Sequence, residues 1–217
     1  MNEATKGTGA AEGTAAELIA AALRLFGKKG FAATSTREIA AAAETNVASI
    51  AYHFGGKEGL RRACGEEFVR RIGSVVASAG QNMPDTPEAA QRQMEVILRA
   101  MVGFLVGSRE ADDLAAFMLR EVGHDGPVLD TVYGAMFDPL LRRFSALWAA
   151  STGKEAESES TRLLVFSLIG QVLYFRIARP IVERRMEWST LGPAEAARIA
   201  DLLAANLHSL VQRERQI

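Results

Sequence analysis

The sequence predicts an all-α chain in two parts: an N-terminal three-helix helix-turn-helix domain, then a larger C-terminal helical domain. Three observations carry this. Apolar residues recur three and four apart from Leu18 to Leu210, and no stretch keeps a period of two. Capping boxes, glycines and prolines divide that pattern into separate helices. The elements between residues 35 and 54 are one to two turns long, whereas those after Lys57 are several turns long.

Residues 1–13 hold Gly, Ala, Thr and charge without periodicity and read as a flexible arm. Thr14 with Glu17 forms a capping box ahead of Leu18, Ile19, Ala22, Leu23, Leu25 and Phe26. Gly30 stops that helix, and Lys28 and Lys29 occupy its last turn, where the helix dipole favours cations. A second box, Ser35 with Glu38, opens a short helix holding Ile39, Ala40 and Ala43. A turn at Glu44 and Thr45 leads to Asn46, a good N-cap, and to a two-turn helix with Ile50 and Phe54 facing inward. Gly55-Gly56 breaks the chain, and Lys57 begins a long helix with Leu60, Cys64, Phe68, Ile72, Val75 and Val76 as its stripe.

Beyond it, Thr86 caps and Pro87 takes the first helical position of a helix carrying Met94, Ile97, Leu98, Met101, Val102 and Leu105. Leu114, Phe117, Met118 and Glu121 form the next stripe, ended by Gly123. Residues 128–148 read as one further helix and 161–178 as another, closed by Pro180. A short piece follows at 181–188, and Gly192-Pro193 starts the last helix, with Ile199, Leu203, Leu207 and Leu210 in line. The expected division is an arm at 1–13, a helix-turn-helix domain at 14–60 and a second domain at 61–217.

Composition narrows the function classes. The 25 basic and 26 acidic side chains nearly cancel, so a nucleic-acid surface must be a local patch. The single cysteine, Cys64, cannot form an internal disulfide, which suits a reducing cytoplasm. The three histidines are scattered, so no metal site is expected. The N-terminus lacks the apolar core of a signal peptide, and the most apolar run, 163–175, is short for a bilayer; no membrane role is expected. No nucleophile elbow, phosphate loop or HExxH motif occurs, so neither an enzyme nor a cofactor is indicated.

Two short helices joined by a tight turn make a helix-turn-helix, and the second enters a major groove only if its outer face is free of bulk. Val47, Ala48, Ser49, Ala51 and Tyr52 meet that need. Arg37 can reach a guanine edge or a phosphate. The Thr36 and Ser49 hydroxyls and His53 suit phosphate oxygens, and Tyr52 offers a ring for thymine methyls. Lys57 adds its charge to a helix N-terminus that already attracts anions.

The ordered segments LFGKKGF, TSTREIA and SIAYHFGGKEGL resemble the DNA-binding domain of the TetR family of transcriptional regulators. The segment SLIGQVLYFRIARP is similar to the CecR-like subgroup. The resemblance implies a dimeric regulator, most often a repressor, binding a pseudo-palindromic operator and released by a small-molecule effector. It also implies that the last two long helices pair in the dimer. Phe166, Leu173, Tyr174, Leu203, Leu207 and Leu210 are the candidate interface residues. Met101, Phe104, Phe117, Met118, Phe137, Glu121 and Gln171 are candidates to line a ligand site, because Met adapts to varied ligands and the two polar groups sit beside apolar stripes. Glu44 stands where the family usually has Gly, Ala51 where Tyr is common and Gly56 where Ser or Thr caps. Glu44 and Ala51 best support an alternative, a helical ligand-binding module without DNA binding. A small helical enzyme is a more distant one.

Overall fold

The computed structural model describes residues 4–78, 80, 82–124 and 126–216, with side chains from residue 13 onward. Eleven α-helices and one π-helical turn account for most of these residues, and no strand occurs among them. The chain forms two compact units, one of Met1–Arg71 with Asp112–Tyr133, the other of Ile72–Ala111 with Gly134–Ile217. This differs from a single cut after residue 60: residues 61–71 and 112–133 group with the N-terminal helices.

The first unit begins with α1, Ala4–Lys29. Of the expected arm, residues 1–3 lie outside the described residues, and α1 already runs through 4–13. Thr14 is therefore interior to α1 and does not cap it. Alanine and threonine among the glycines leave no strong breaker before Gly30, so the helix continues upstream of the box. Gly30 ends α1 in the left-handed conformation, φ 85°, its N–H donating to the Phe26 carbonyl at 2.8 Å. Helices α2 (Thr36–Ala42) and α3 (Val47–Phe54) pack on α1 and on each other through Leu18, Ala22, Phe26, Ile39 and Ile50, all essentially buried.

Helix α4, Lys57–Ala77, contributes Leu60, Cys64 and Phe68 to this core, and the division between units falls inside it at Arg71. Helix α6, Ala111–Val122, lies against α1 so closely that a Cβ at Gly27 would stand 3.0 Å from Ala116 Cβ and from the Phe117 backbone nitrogen. Helix α7 is Pro127–Val132. Phe117 is fully buried with its ring 6.3 Å from Phe26, and Met118 is buried too; both are packing residues of this unit.

In the second unit α5 (Pro87–Leu105) is central and is packed by α8 (Asp138–Thr152), α9 (Glu159–Ile177) and α11 (Pro193–Gln216). Met94, Ile97, Leu98, Met101 and Val102 from α5 meet Phe144, Leu147, Trp148, Leu203, Leu207 and Val211 in a dry core. Burying one such aliphatic side chain is worth about 1.5–3 kcal/mol. Thr86 caps α5 as expected, with Pro87 in its first turn. The helix expected over 128–148 is instead three pieces: α7, a π-helical turn at Tyr133–Phe137, and α8 with Pro139 in its first turn. The apolar period runs through all three, but Pro139 supplies no N–H for a continuous ladder. Helix α10, Arg179–Met186, follows α9, with Pro180 in its first turn.

Leu203 and Leu207 are 3% and 0% exposed inside this unit, so they are core residues and are not available to a second chain. Periodicity places them in a stripe without saying what covers it. Leu210 is half-buried. Phe166, Leu173 and Tyr174 on α9 are exposed. By length and composition α9 passes for a membrane span, contrary to the expectation of a run too short; Val165, Leu168 and Val172 on its other face are buried in this unit.

Candidate nucleic-acid interface

The local rules that build α2 and α3 also aim their side chains. The Ser35 hydroxyl accepts from Glu38 N–H at 3.2 Å, and the Glu38 carboxylate accepts from Ser35 N–H at 2.9 Å, so the expected capping box is complete. Lys29 Nζ stands 2.6 Å from Glu38 Oε1. That contact first, then the bonds that the Ser35 N–H and the Ser35 hydroxyl (3.0 Å) donate to Glu38 Oε2, hold the Glu38 carboxyl down at about 2. Lys29 thus serves the cap of α2 as well as the end of its own helix.

Between α2 and α3 the chain turns at Glu44, whose φ is 50°. A left-handed Glu costs about 1 kcal/mol relative to Gly. Thr45 N–H returns to the Ala40 carbonyl at 2.9 Å, and Asn46 Oδ1 accepts from Ser49 N–H at 3.0 Å. The Ser49 hydroxyl also donates to Asn46 Oδ1 and sits 3.1 Å from the Thr45 hydroxyl. Ser49 therefore helps to set the cap of α3, a role the sequence reading did not give it.

Ile50 anchors α3 at 1% exposure, while Val47, Ala48, Ala51 and Tyr52 are exposed on its outer side, Tyr52 at 82%. Arg37 is exposed; Thr36, His53 and Lys57 are half-buried. His53 lies edge-on to the Tyr52 ring, centroids 4.9 Å apart. A fully exposed tyrosine on a helix held by one buried isoleucine has no packing role, and its ring is available to a partner.

The end of α3 is a second constructed feature. Gly55 and Gly56 have φ of 70° and 126°, and the Gly55 N–H donates to the Ala51 carbonyl. The chain folds back so tightly that a Cβ at Gly59 would lie 1.7 Å from the Phe54 carbonyl oxygen. Lys57 Nζ and the Arg61 guanidinium both lie over the Phe31 ring, 4.2 and 4.5 Å from its centroid. Phe31 and Arg61 are parts of this region that sequence reasoning missed: nothing in a local pattern links an aromatic at 31 to cations at 57 and 61.

Two adjacent residues of α6 reach into the same unit. Arg120 donates to the Gly27 and Lys28 carbonyls at 2.6 and 2.9 Å, satisfying the open C-terminus of α1. Glu121 is 5% exposed and takes a forked pair of bonds from Arg61, the shortest 2.9 Å. Glu121 was expected to hold a ligand's polar group; its carboxylate is instead committed to Arg61, a charge 60 positions away that no helical period reveals. Cys64 is wholly buried, and burial first, then Glu121 and Glu67, push its thiol pKa up, so it is an inert packing group.

Residues 18–64 match the profile described as "Bacterial regulatory proteins, tetR family". Residues 90–212, more than half of the chain, match the C-terminal domain of the HTH-type transcriptional dual regulator CecR. The chain is 33% identical over 206 residues to the CecR regulator of Shigella flexneri, covering 90% of each. The chain belongs to the TetR family, as a CecR-like regulator. The likeness extends to solved TetR-family folds. A regulator from Rhodococcus RHA1 superposes with a TM-score of 0.67 at 20% identity, over 88% of this chain and 95% of that one. AibR, solved with isovaleryl coenzyme A and operator DNA, superposes with a TM-score of 0.67 at 18% identity, over 88% and 96%. This TetR-family protein is thus a DNA-binding transcriptional regulator and not an enzyme, and α2 and α3 lie within the residues that the tetR-family profile matches.

The remaining candidates of the CecR-like domain are dispersed. Met101 is buried on α5, Phe104 is half-buried, and Phe137 closes the π-helical turn. Gln171 on α9 accepts from Asn206 Nδ2 on α11 at 2.8 Å, so its amide joins two helices of one unit.

Proposed function

We propose that the protein is a cytoplasmic homodimeric repressor that sets two copies of α3 in successive major grooves of a pseudo-palindromic operator and leaves it when a small molecule binds the second unit. The observation that carries the reading is the outer face of α3: Tyr52 at 82% exposure beside Ala48 and Ala51, held from behind by Ile50. Arg37 and Tyr52 read bases, and Thr36, His53 and Lys57 position the backbone. Val47 and Ala51 leave room for the groove, and Ser49 acts chiefly through the cap.

Pairing is supported by α9. Leu163, Phe166, Gly170, Leu173 and Ile177 are exposed and follow one another at intervals of 3, 4, 3 and 4, the spacing of a helix seam. A Cβ at Gly170 would meet nothing within 4 Å, so the middle of that seam is open to a facing helix. Tyr174 and Leu202 extend the same uncovered apolar surface. Release by an effector requires that it bind the two states with different affinity.

The test is selection of random duplexes by the purified protein, followed by a salt titration on the enriched sequence. A palindromic site with a steep salt slope is expected, its preference relaxed by Tyr52→Ala and its affinity lowered by Arg37→Ala. No enriched sequence from a folded dimer at low salt would favour the ligand-binding module without DNA contact. The Shigella relative is described as a dual regulator, so transcription from the selected site is read in both directions.

A further inference from the structure

The second unit contains a cavity of about 400 Å³ between the last turns of α4, the π-helical turn and the first turns of α8. Gly73, Val76, Met136, Pro139 and Leu140 form its apolar wall, and Arg143 is the one charged side chain among the described residues that line it. The volume falls in the range of small-molecule sites. Met136 adapts to ligand shape, and π-helical turns recur at functional sites. Arg143 donates through Nη2 to the Gly80 carbonyl, which steadies a planar guanidinium of the kind that pairs with carboxylates. Met101, Phe104, Phe117, Met118, Glu121, Phe137 and Gln171 do not line this cavity, and Gly73 and Arg143 belong to no methionine or aromatic stripe.

We propose that this cavity binds an amphipathic monocarboxylate, its apolar body against Val76, Met136 and Leu140 and its carboxylate on Arg143. The proposal rests on the reading of the protein as an effector-responsive regulator and names the class of effector. No acidic side chain among the described lining residues opposes the anion. Neutral molecules of the same shape lose the charged anchor, so discrimination resides in Arg143.

The experiment titrates the full-length protein with 2-naphthoate and with 2-naphthamide, its neutral counterpart, by calorimetry. Wild type is expected to bind the carboxylate at least tenfold more tightly. Arg143→Gln should erase that preference while leaving naphthamide binding unchanged. Gly73→Leu fills the cavity from α4 at a position where a Cβ meets nothing within 4 Å, so the variant should fold and bind neither probe. Equal affinity for the two probes, no binding of naphthoate, or unchanged binding by Gly73→Leu would each overturn the proposal. An operator-release assay on the same samples separates the two readings. Arg143-dependent binding without release keeps the site and removes its regulatory role.

Discussion

Arg61 of α4 and Glu121 of α6 form a forked ion pair whose carboxylate end is almost fully removed from water, with side-chain exposures of 18% and 6%. Removing Glu121 leaves Arg61 only the longer 3.9 Å contact with exposed Glu58 and the face of Phe31, which costs up to about 3 kcal/mol. Glu121→Ala is therefore expected to lower stability to urea by that amount. Arg61→Met with Glu121→Leu should recover much of it, because two apolar side chains need no partners. A double variant as unstable as the sum of the single ones would contradict this account of the pair.

Gly59 faces the end of α3. An added methyl meets the Phe54 carbonyl oxygen at 1.7 Å, so backbone has to move. Gly59→Ala is expected to cost about 1–3 kcal/mol as overpacking. It should weaken operator binding more than Gly73→Ala does, since only the first displaces α3. Stability and DNA affinity measured on both variants check this.

The capping box of α2 persists to low pH. Glu38 titrates at about 2 folded, below an ordinary carboxyl, with Lys29 the leading cause. A depressed carboxyl contributes stability that is present above its unfolded value of 4.5 and is lost as pH falls towards about 2. Carboxyl NMR should show Glu38 titrating well below the ordinary carboxylate range. Lys29→Ala should move it back towards the ordinary range.

The two apolar faces of the second unit respond differently to substitution. Leu203 is core, so Leu203→Ala should cost about 2–5 kcal/mol and leave chain pairing intact at native conditions. Phe166 is 59% exposed, so Phe166→Glu should leave the single chain folded and shift the sedimenting mass to that of one chain. A Phe166→Glu protein that still sediments as a pair would move the seam off α9.

Glu44 carries strain that glycine relieves. Its φ of 50° lies where side chains are disfavoured, so Glu44→Gly should raise stability by about 1 kcal/mol in a denaturant titration. Added flexibility in the unfolded chain will offset part of that gain.

The helix-turn-helix was legible because its instructions are local. Ser35 with Glu38, Asn46 at the N-cap of α3, and Gly55-Gly56 each act within four residues, and each appears as expected. Features decided by distant partners were not legible. Glu121 looked like a polar group waiting for a ligand because Arg61 is far away in sequence. Leu203 and Leu207 looked like an interface because a stripe does not record what covers it. Thr14 and Glu17 carried a capping signature that a longer helix overrode. Residues 128–148 kept one apolar period across a π-helical turn that only the backbone reveals.

Arg120 and Glu121 also bear on how such regulators can be recombined. A chimera that grafts only residues 18–64, the span of the tetR-family profile, leaves behind the side chains that close the Gly27 and Lys28 carbonyls and neutralise Arg61. The transplantable head is discontinuous: residues 112–133 have to travel with the N-terminal helices, although 40 residues of the other unit intervene in the chain. Exchange of operator specificity between relatives by a single crossover is thereby disfavoured, and substitution on the outer face of α3 is the simpler route to a new binding site.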